Sequence, residues 1–130
     1  MKRFALMFGC LMILTSPAMA ITEFGKQWKE KYLGADTDEA FTSSAKKANC
    51  NICHVKGKKQ KEARNEYGAA IGKLLKAEDF PKEYVKANPE EAQKKIFEGF
   101  EKAGKEKSKD GKSFEEKIKN NELPATDANL

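Results

Sequence analysis

The sequence predicts an all-α fold, a small bundle of about four to five helices. Apolar residues recur at three- and four-residue intervals along most of the chain, and no stretch alternates apolar and polar residues for long enough to make a strand. The periodic stretches are separated by residues that start and stop helices. With 130 residues there is material for one small domain, and no internal repeat or second domain is evident.

Phe24, Trp28 and Tyr32 lie four apart on one helix face, with Thr22 as its expected N-cap and Gly34 as its stop. Phe41, Ala45, Ala48 and Ile52 form a second face that runs into residues 50–54. Lys56-Gly57-Lys58-Lys59 breaks that pattern with a polar loop. Ala63, Tyr67, Ala70, Ile71, Leu74 and Leu75 predict the clearest amphipathic helix, ended by Phe80-Pro81 because a residue before proline avoids helical geometry. Asn88 as N-cap, Pro89 at the first position and Glu91 at the third open the next helix. Its inward face is Ala92, Ile96, Phe100 and Ala103, and Gly104 stops it. A solvated run, Lys105 to Lys109, leads to an Asp110-Gly111 turn. Ser113-Phe114-Glu115-Glu116 is a capping box for a short helix with Phe114 and Ile118 facing inward. Beyond Leu123-Pro124 the tail is expected to fray.

Residues 1–20 read as a cleaved signal peptide, leaving 21–130 as a single domain. Lys2 and Arg3 supply the positive start, Phe4 to Leu14 the apolar run, and Ala18-Met19-Ala20 the small residues of a cleavage site. The run is too short to span a bilayer, which takes about 20 residues. A buried N-terminal core helix is the plainer alternative. Lipoprotein processing at Cys10 is disfavoured by the bulky Met7 and Phe8 before it. Export to the periplasm is the consequence, with no membrane span after processing. Loss of Lys2 and Arg3 takes the formal charge from +5 to +3. Acidic and basic residues are interspersed, so no basic stripe points to nucleic acid. The 39% hydrophobic content includes the apolar leader, which leaves a thin core that a large flat apolar ligand would complete. Processing also removes Cys10 and all four methionines, Met1, Met7, Met12 and Met19. Residues 21–130 then hold two cysteines, no methionine and a single histidine, His54.

Cys50-Asn51-Ile52-Cys53-His54 is a C-x-x-C-H sequence. On a helical turn Cys50 and Cys53 are i and i+3, so both thiols project from one side. Each can add to a vinyl group of haem, and His54, one residue on, is then held under the iron as proximal ligand. A zinc site would need about four ligands, and only these three are present. A thioredoxin-like pair is expected beside a βαβ pattern, which is missing. A structural Cys50–Cys53 disulfide would leave His54 without a role. The motif therefore points to one covalent haem c, held by Cys50, Cys53 and His54, with His54 as the metal ligand.

Ala48-Asn49-Cys50-Asn51-Ile52-Cys53-His54 resembles the haem-binding segment of the cytochrome c superfamily, class I-like. Arg64-Asn65-Glu66-Tyr67-Gly68 and Asp110-Gly111-Lys112-Ser113-Phe114 are similar to a bacterial branch of small cytochrome-c-like domains. The resemblance spans residues 41–124, with C-x-x-C-H its one specific motif. It implies a cytochrome c-like bundle around one haem, electron transfer as the role, thioethers at Cys50 and Cys53, and axial ligation by His54. The chain departs from the family at the sixth ligand, usually a methionine, often before proline. Here Leu123-Pro124 stands nearest, and leucine cannot ligate. That leaves an open site, water, a lysine, the new N-terminal amine, or Tyr32, Tyr67 or Tyr84, which at helical spacing are more simply core residues.

The expected function is electron transfer in the periplasm through covalent haem lacking a distal Met or second His, without enzymatic bond-making. The alternative is a haem protein with an open distal site that binds NO, CO or peroxide as a sensor or peroxidase-like enzyme. Electron transfer leads because no distal histidine is present for peroxide chemistry. The expected partner is a redox protein, acidic if the lysines after the motif (Lys56, Lys58, Lys59, Lys61) steer it. The plainer reading of those lysines is a solvated loop.

Overall fold

The computed structural model describes residues 18–58 and 63–130, with the side chains of the first helix described from Glu23 onward. The leader assigned to residues 1–20 therefore falls outside the described residues except for its last three, and Lys59 and Lys61 fall outside as well. Among the described residues there are six α-helices: α1 (Ala18–Tyr32), α2 (Glu39–Ala48), α3 (Glu66–Leu74), α4 (Lys82–Ala87), α5 (Pro89–Gly104) and α6 (Phe114–Lys119). Two 3-10 turns, Asn49–Ile52 and Ala77–Asp79, complete the regular structure. Among the described residues there is no strand, only two isolated bridges. The fold is all-α, as the periodicity requires. No described helix is long and apolar enough to cross a membrane.

The longest helix, α5, is the hub: α1, α3, α4 and α6 all pack on it. Its expected face, Ala92, Ile96, Phe100 and Ala103, is buried. Around it sixteen buried apolar residues form one cluster, with Trp28, Tyr67, Phe100 and Phe114 among its largest members. Aromatic side chains carry much of that cluster. Trp28 lies 5.1 Å from Tyr32, Tyr67 lies 5.1 Å from Phe114, and Phe24 meets Phe80 edge-on at 5.5 Å. Such pairs add about 0.5–1.5 kcal/mol each beyond simple area burial. The core is thus more continuous than the composition suggests.

Several helix ends match their sequence signals. Ser113 Oγ accepts from the Glu116 amide at 3.1 Å and starts α6. Gly111 takes φ +89° in the expected turn, a conformation glycine adopts without strain. Others differ. α1 already runs from Ala18, so Thr22 is inside the helix rather than capping it. Asn88 does not cap α5, because its Nδ2 donates backwards to the Tyr84 carbonyl at the end of α4. α3 begins at Glu66 rather than near Ala63 and ends at Leu74, whose side chain is 42% exposed. The segment before Pro81 is a 3-10 turn, and α4 comes after it, in a stretch between the two predicted helices to which the periodicity assigns no element.

The tail does not fray. Pro124 and Ala128 are buried, and Glu66 at the start of α3 binds both the tail and the turn after α5. Its carboxylate accepts from the Thr126 amide and hydroxyl, both at 2.8 Å, from Ser108 Oγ at 2.5 Å and from the Lys109 amide at 2.8 Å. The Glu66 amide in turn donates to Asp127 Oδ1 at 2.9 Å. The Ala128 carbonyl accepts from the Lys56 amide at 2.8 Å, which ties the tail to the loop after the cysteine motif.

Candidate cofactor-attachment site

α2 delivers the motif. Phe41, Ala45 and Ala48 anchor it in the core, and Ile52 carries the same buried face into the 3-10 turn. The bend between helix and turn is at Asn49, which takes φ +47° and whose Oδ1 accepts from Lys29 Nζ at 3.0 Å. Asparagine tolerates positive φ better than most residues with a side chain.

Cys50 lies within that turn and Cys53 at its C-cap. Cys53 closes the turn, its amide donating to the Cys50 carbonyl at 3.3 Å, and three residues per turn bring positions i and i+3 near one side. Both are free thiols, Cys50 exposed and Cys53 half-buried. Burial, with a smaller contribution from Cys50, pushes the Cys53 thiol up to about 12, so it is held as S–H.

His54 is 8% exposed. Burial lowers its pKa most; the Ala63 carbonyl beside it raises it and the Arg64 guanidinium lowers it further. The net direction is down, favouring the neutral imidazole that metals bind. Its Nδ1 is buried without a hydrogen-bond partner, a state that few native polar groups show.

The motif backbone is fixed on every carbonyl. The Cys50 carbonyl accepts from the amides of Cys53 at 3.3 Å and His54 at 3.1 Å. Asn65, fully buried ahead of α3, holds the other four. Its Nδ2 reaches the carbonyls of Asn51 (3.1 Å), Ile52 (2.9 Å) and His54 (3.3 Å), and its own amide donates to the Cys53 carbonyl at 3.0 Å. Asn65 Oδ1 meanwhile accepts from the Gly68 amide at 2.8 Å and caps α3. Gly68 makes this approach possible, because a Cβ there would overlap the Cys53 carbonyl. The segment leaving the motif is held by Val55, whose amide donates to the Ala63 carbonyl at 3.0 Å, and by a bridge between His54 and Arg64.

The structure thus brings Cys50, Cys53 and His54 onto one braced turn. In the sequence, Asn65 and Gly68 stand out only within a resembling segment, and neither is given a role there. The available signal is Asn65 as an N-cap before Glu66, three residues ahead of Gly68.

The donor set fits an iron that arrives in its own macrocycle. One imidazole with an unpartnered nitrogen could supply a single axial ligand, and two free thiols lie within four residues of it in the chain. Among the described residues no group of three or more His, Cys, Asp or Glu converges as a bare-metal site would need. The fit rests on these donors rather than on a cavity. Two clefts, about 460 and 420 Å³, are lined by residues such as Phe80 and Lys102 and by Thr42 and Lys46, not by the motif.

The tyrosines are poorly suited to bind iron. Tyr67 Oη accepts from Trp28 Nε1 at 3.0 Å, and burial drives its pKa well above 10. Burial likewise pushes Tyr32 up to about 12. Both are held as neutral phenols. Tyr84 Oη is engaged by Lys95 Nζ at 2.9 Å. Lys117, the one buried lysine among the described residues, pairs with Asp110 at 2.9 Å. Lys56 and Lys58 are exposed. Comparison with known protein families, with curated proteins and with solved structures finds no match.

Proposed function

We propose that this chain is an exported mono-haem c-type cytochrome that carries electrons in the periplasm. The observation that carries the reading is the C-x-x-C-H turn itself. Its two thiols are free, its five carbonyls are bound, and its histidine is buried with an unpartnered nitrogen.

In this reading Cys50 and Cys53 would hold the haem, each through a thioether made by adding its S–H across a vinyl group with no oxidant consumed. His54, presented as neutral imidazole by its burial, would ligate the iron. When bound, haem supplies one-electron exchange at its iron, and the chain holds and insulates it. No further bond-making residue is required, so the protein is not read as an enzyme. Residues 40–61 contain six lysines and no carboxylate, which supports an acidic redox partner docking near the motif.

One observation favours a second reading. Residues 21–130 contain no methionine and no second histidine, and the buried tyrosines are held as phenols. An open distal position would suit binding of NO, CO or peroxide. Absorption spectra of the oxidised and reduced protein, with and without CO, separate the two. A ferrous protein that is high-spin and binds CO supports the ligand-binding role. A low-spin protein that ignores CO supports the electron carrier with a fixed nitrogen ligand. In either case the potential is expected below that of His–Met relatives, because methionine sulfur favours the ferrous state. Absence of any haem spectrum would overturn both.

A further inference from the structure

We infer that Asn65 is a positioning residue for the attachment turn: its side chain and amide together hold the carbonyls of Asn51, Ile52, Cys53 and His54, and so aim His54 and the two cysteines. This rests on the proposed haem reading and adds a residue that C-x-x-C-H does not include.

The carbonyls of a short turn need partners outside its own few hydrogen bonds. Here one fully buried amide, 11 to 14 residues along the chain, spans three of them, and its backbone takes the fourth. All of its polar groups are used, since Oδ1 caps α3 at Gly68 and its carbonyl accepts from the Ala69 amide at 2.9 Å. The turn is therefore referenced to α3 rather than to the solvent-facing loop after it. A ligand whose backbone is fixed loses little freedom when it binds, and groups behind a metal ligand set its orientation. Gly68 supports the same contact from the helix side by letting the Cys53 carbonyl sit against α3.

Two substitutions separate this role from helix capping. Asn65→Asp keeps an acceptor for Gly68 but turns the donor end into an oxygen facing carbonyls. Asn65→Ser also keeps a good cap and is too short to reach them. Ser113→Ala is the control, since it removes a cap on α6 away from the motif. The full chain is expressed in a host that attaches haem c. The covalently loaded fraction is read by intact mass, the midpoint potential by spectroelectrochemistry, and the melting temperature by circular dichroism.

Both Asn65 variants are expected to lose loaded chains by about tenfold, the lower end of what removing a group behind a metal ligand costs. The chains still loaded are expected to have a shifted potential. S113A is expected to melt lower yet load fully at the wild-type potential. Asn65 variants that load fully at an unchanged potential would overturn the inference. So would an S113A protein that loses as much haem for the same fall in melting temperature, because Asn65 would then act through stability alone. Wild-type protein without covalent haem would instead overturn the underlying reading.

Discussion

A methyl group added at Gly68 would collide with the backbone carbonyl of Cys53, and neither α3 nor the braced turn has slack to give way. Gly68→Ala is therefore expected to destabilise the protein by about 1–3 kcal/mol, the range for overpacking a rigid site. Thermal melts check this, and an unchanged melting temperature would show that turn and helix are not in hard contact. The residues to which the proposal gives the chemistry are legible because their relation is local: Cys50, Cys53 and His54 lie within five positions. Asn65 was not legible, because its role is defined by carbonyls of a segment folded back against it. A buried asparagine and an exposed one look alike in sequence. Lys117 makes the same point, since a lysine between Phe114 and Ile118 reads as solvated until Asp110 is placed beside it.

Among the elements, α5 and α6 were the most legible, because Pro89, Gly104 and the Ser113 box punctuate an already periodic sequence. α4 was missed because six residues between Pro81 and Asn88 are too few to display a period. The tail was misread because its anchor, Glu66, lies 60 residues earlier and the contact is made by side chain rather than by propensity. Burial raises the pKa of Glu66, but hydrogen bonds from Ser108, Thr126 and Lys109 outweigh it, and the net shift is downward. A carboxylate with a depressed folded pKa contributes stability that is complete above the ordinary glutamate value, about 4.3. That contribution is lost as pH falls through the lower folded value. Hydrogen exchange of residues 125–129 is therefore expected to rise selectively below about pH 4.3. Glu66→Gln is expected to produce the same release at neutral pH at a cost of about 1.5–3 kcal/mol, the range for charge-assisted bonds. Protection of the tail that is insensitive both to acid and to this substitution would contradict the anchoring role.

For the molecule as a whole, fold class followed from the absence of alternation and the persistence of a helical period. The aromatic cluster was only partly legible, since periodicity assigns Trp28, Tyr67 and Phe114 to inward faces without saying that those faces meet. The lysine-rich stretch around the motif gives a prediction at this scale. Electron exchange with an acidic partner should slow as ionic strength rises, because exposed charges are screened over about 8–10 Å. Stopped-flow rates across a salt series check this, and flat rates would remove the acidic partner from the proposal. The central claim, covalent haem on the Cys50–Cys53 turn, is tested most directly by the intact mass of the exported protein after acid-acetone extraction and denaturation. The account predicts one species, the chain from Ile21 plus one haem, with colour retained on the polypeptide. Haem that extracts from the protein, or a mass showing only a Cys50–Cys53 disulfide, would contradict it.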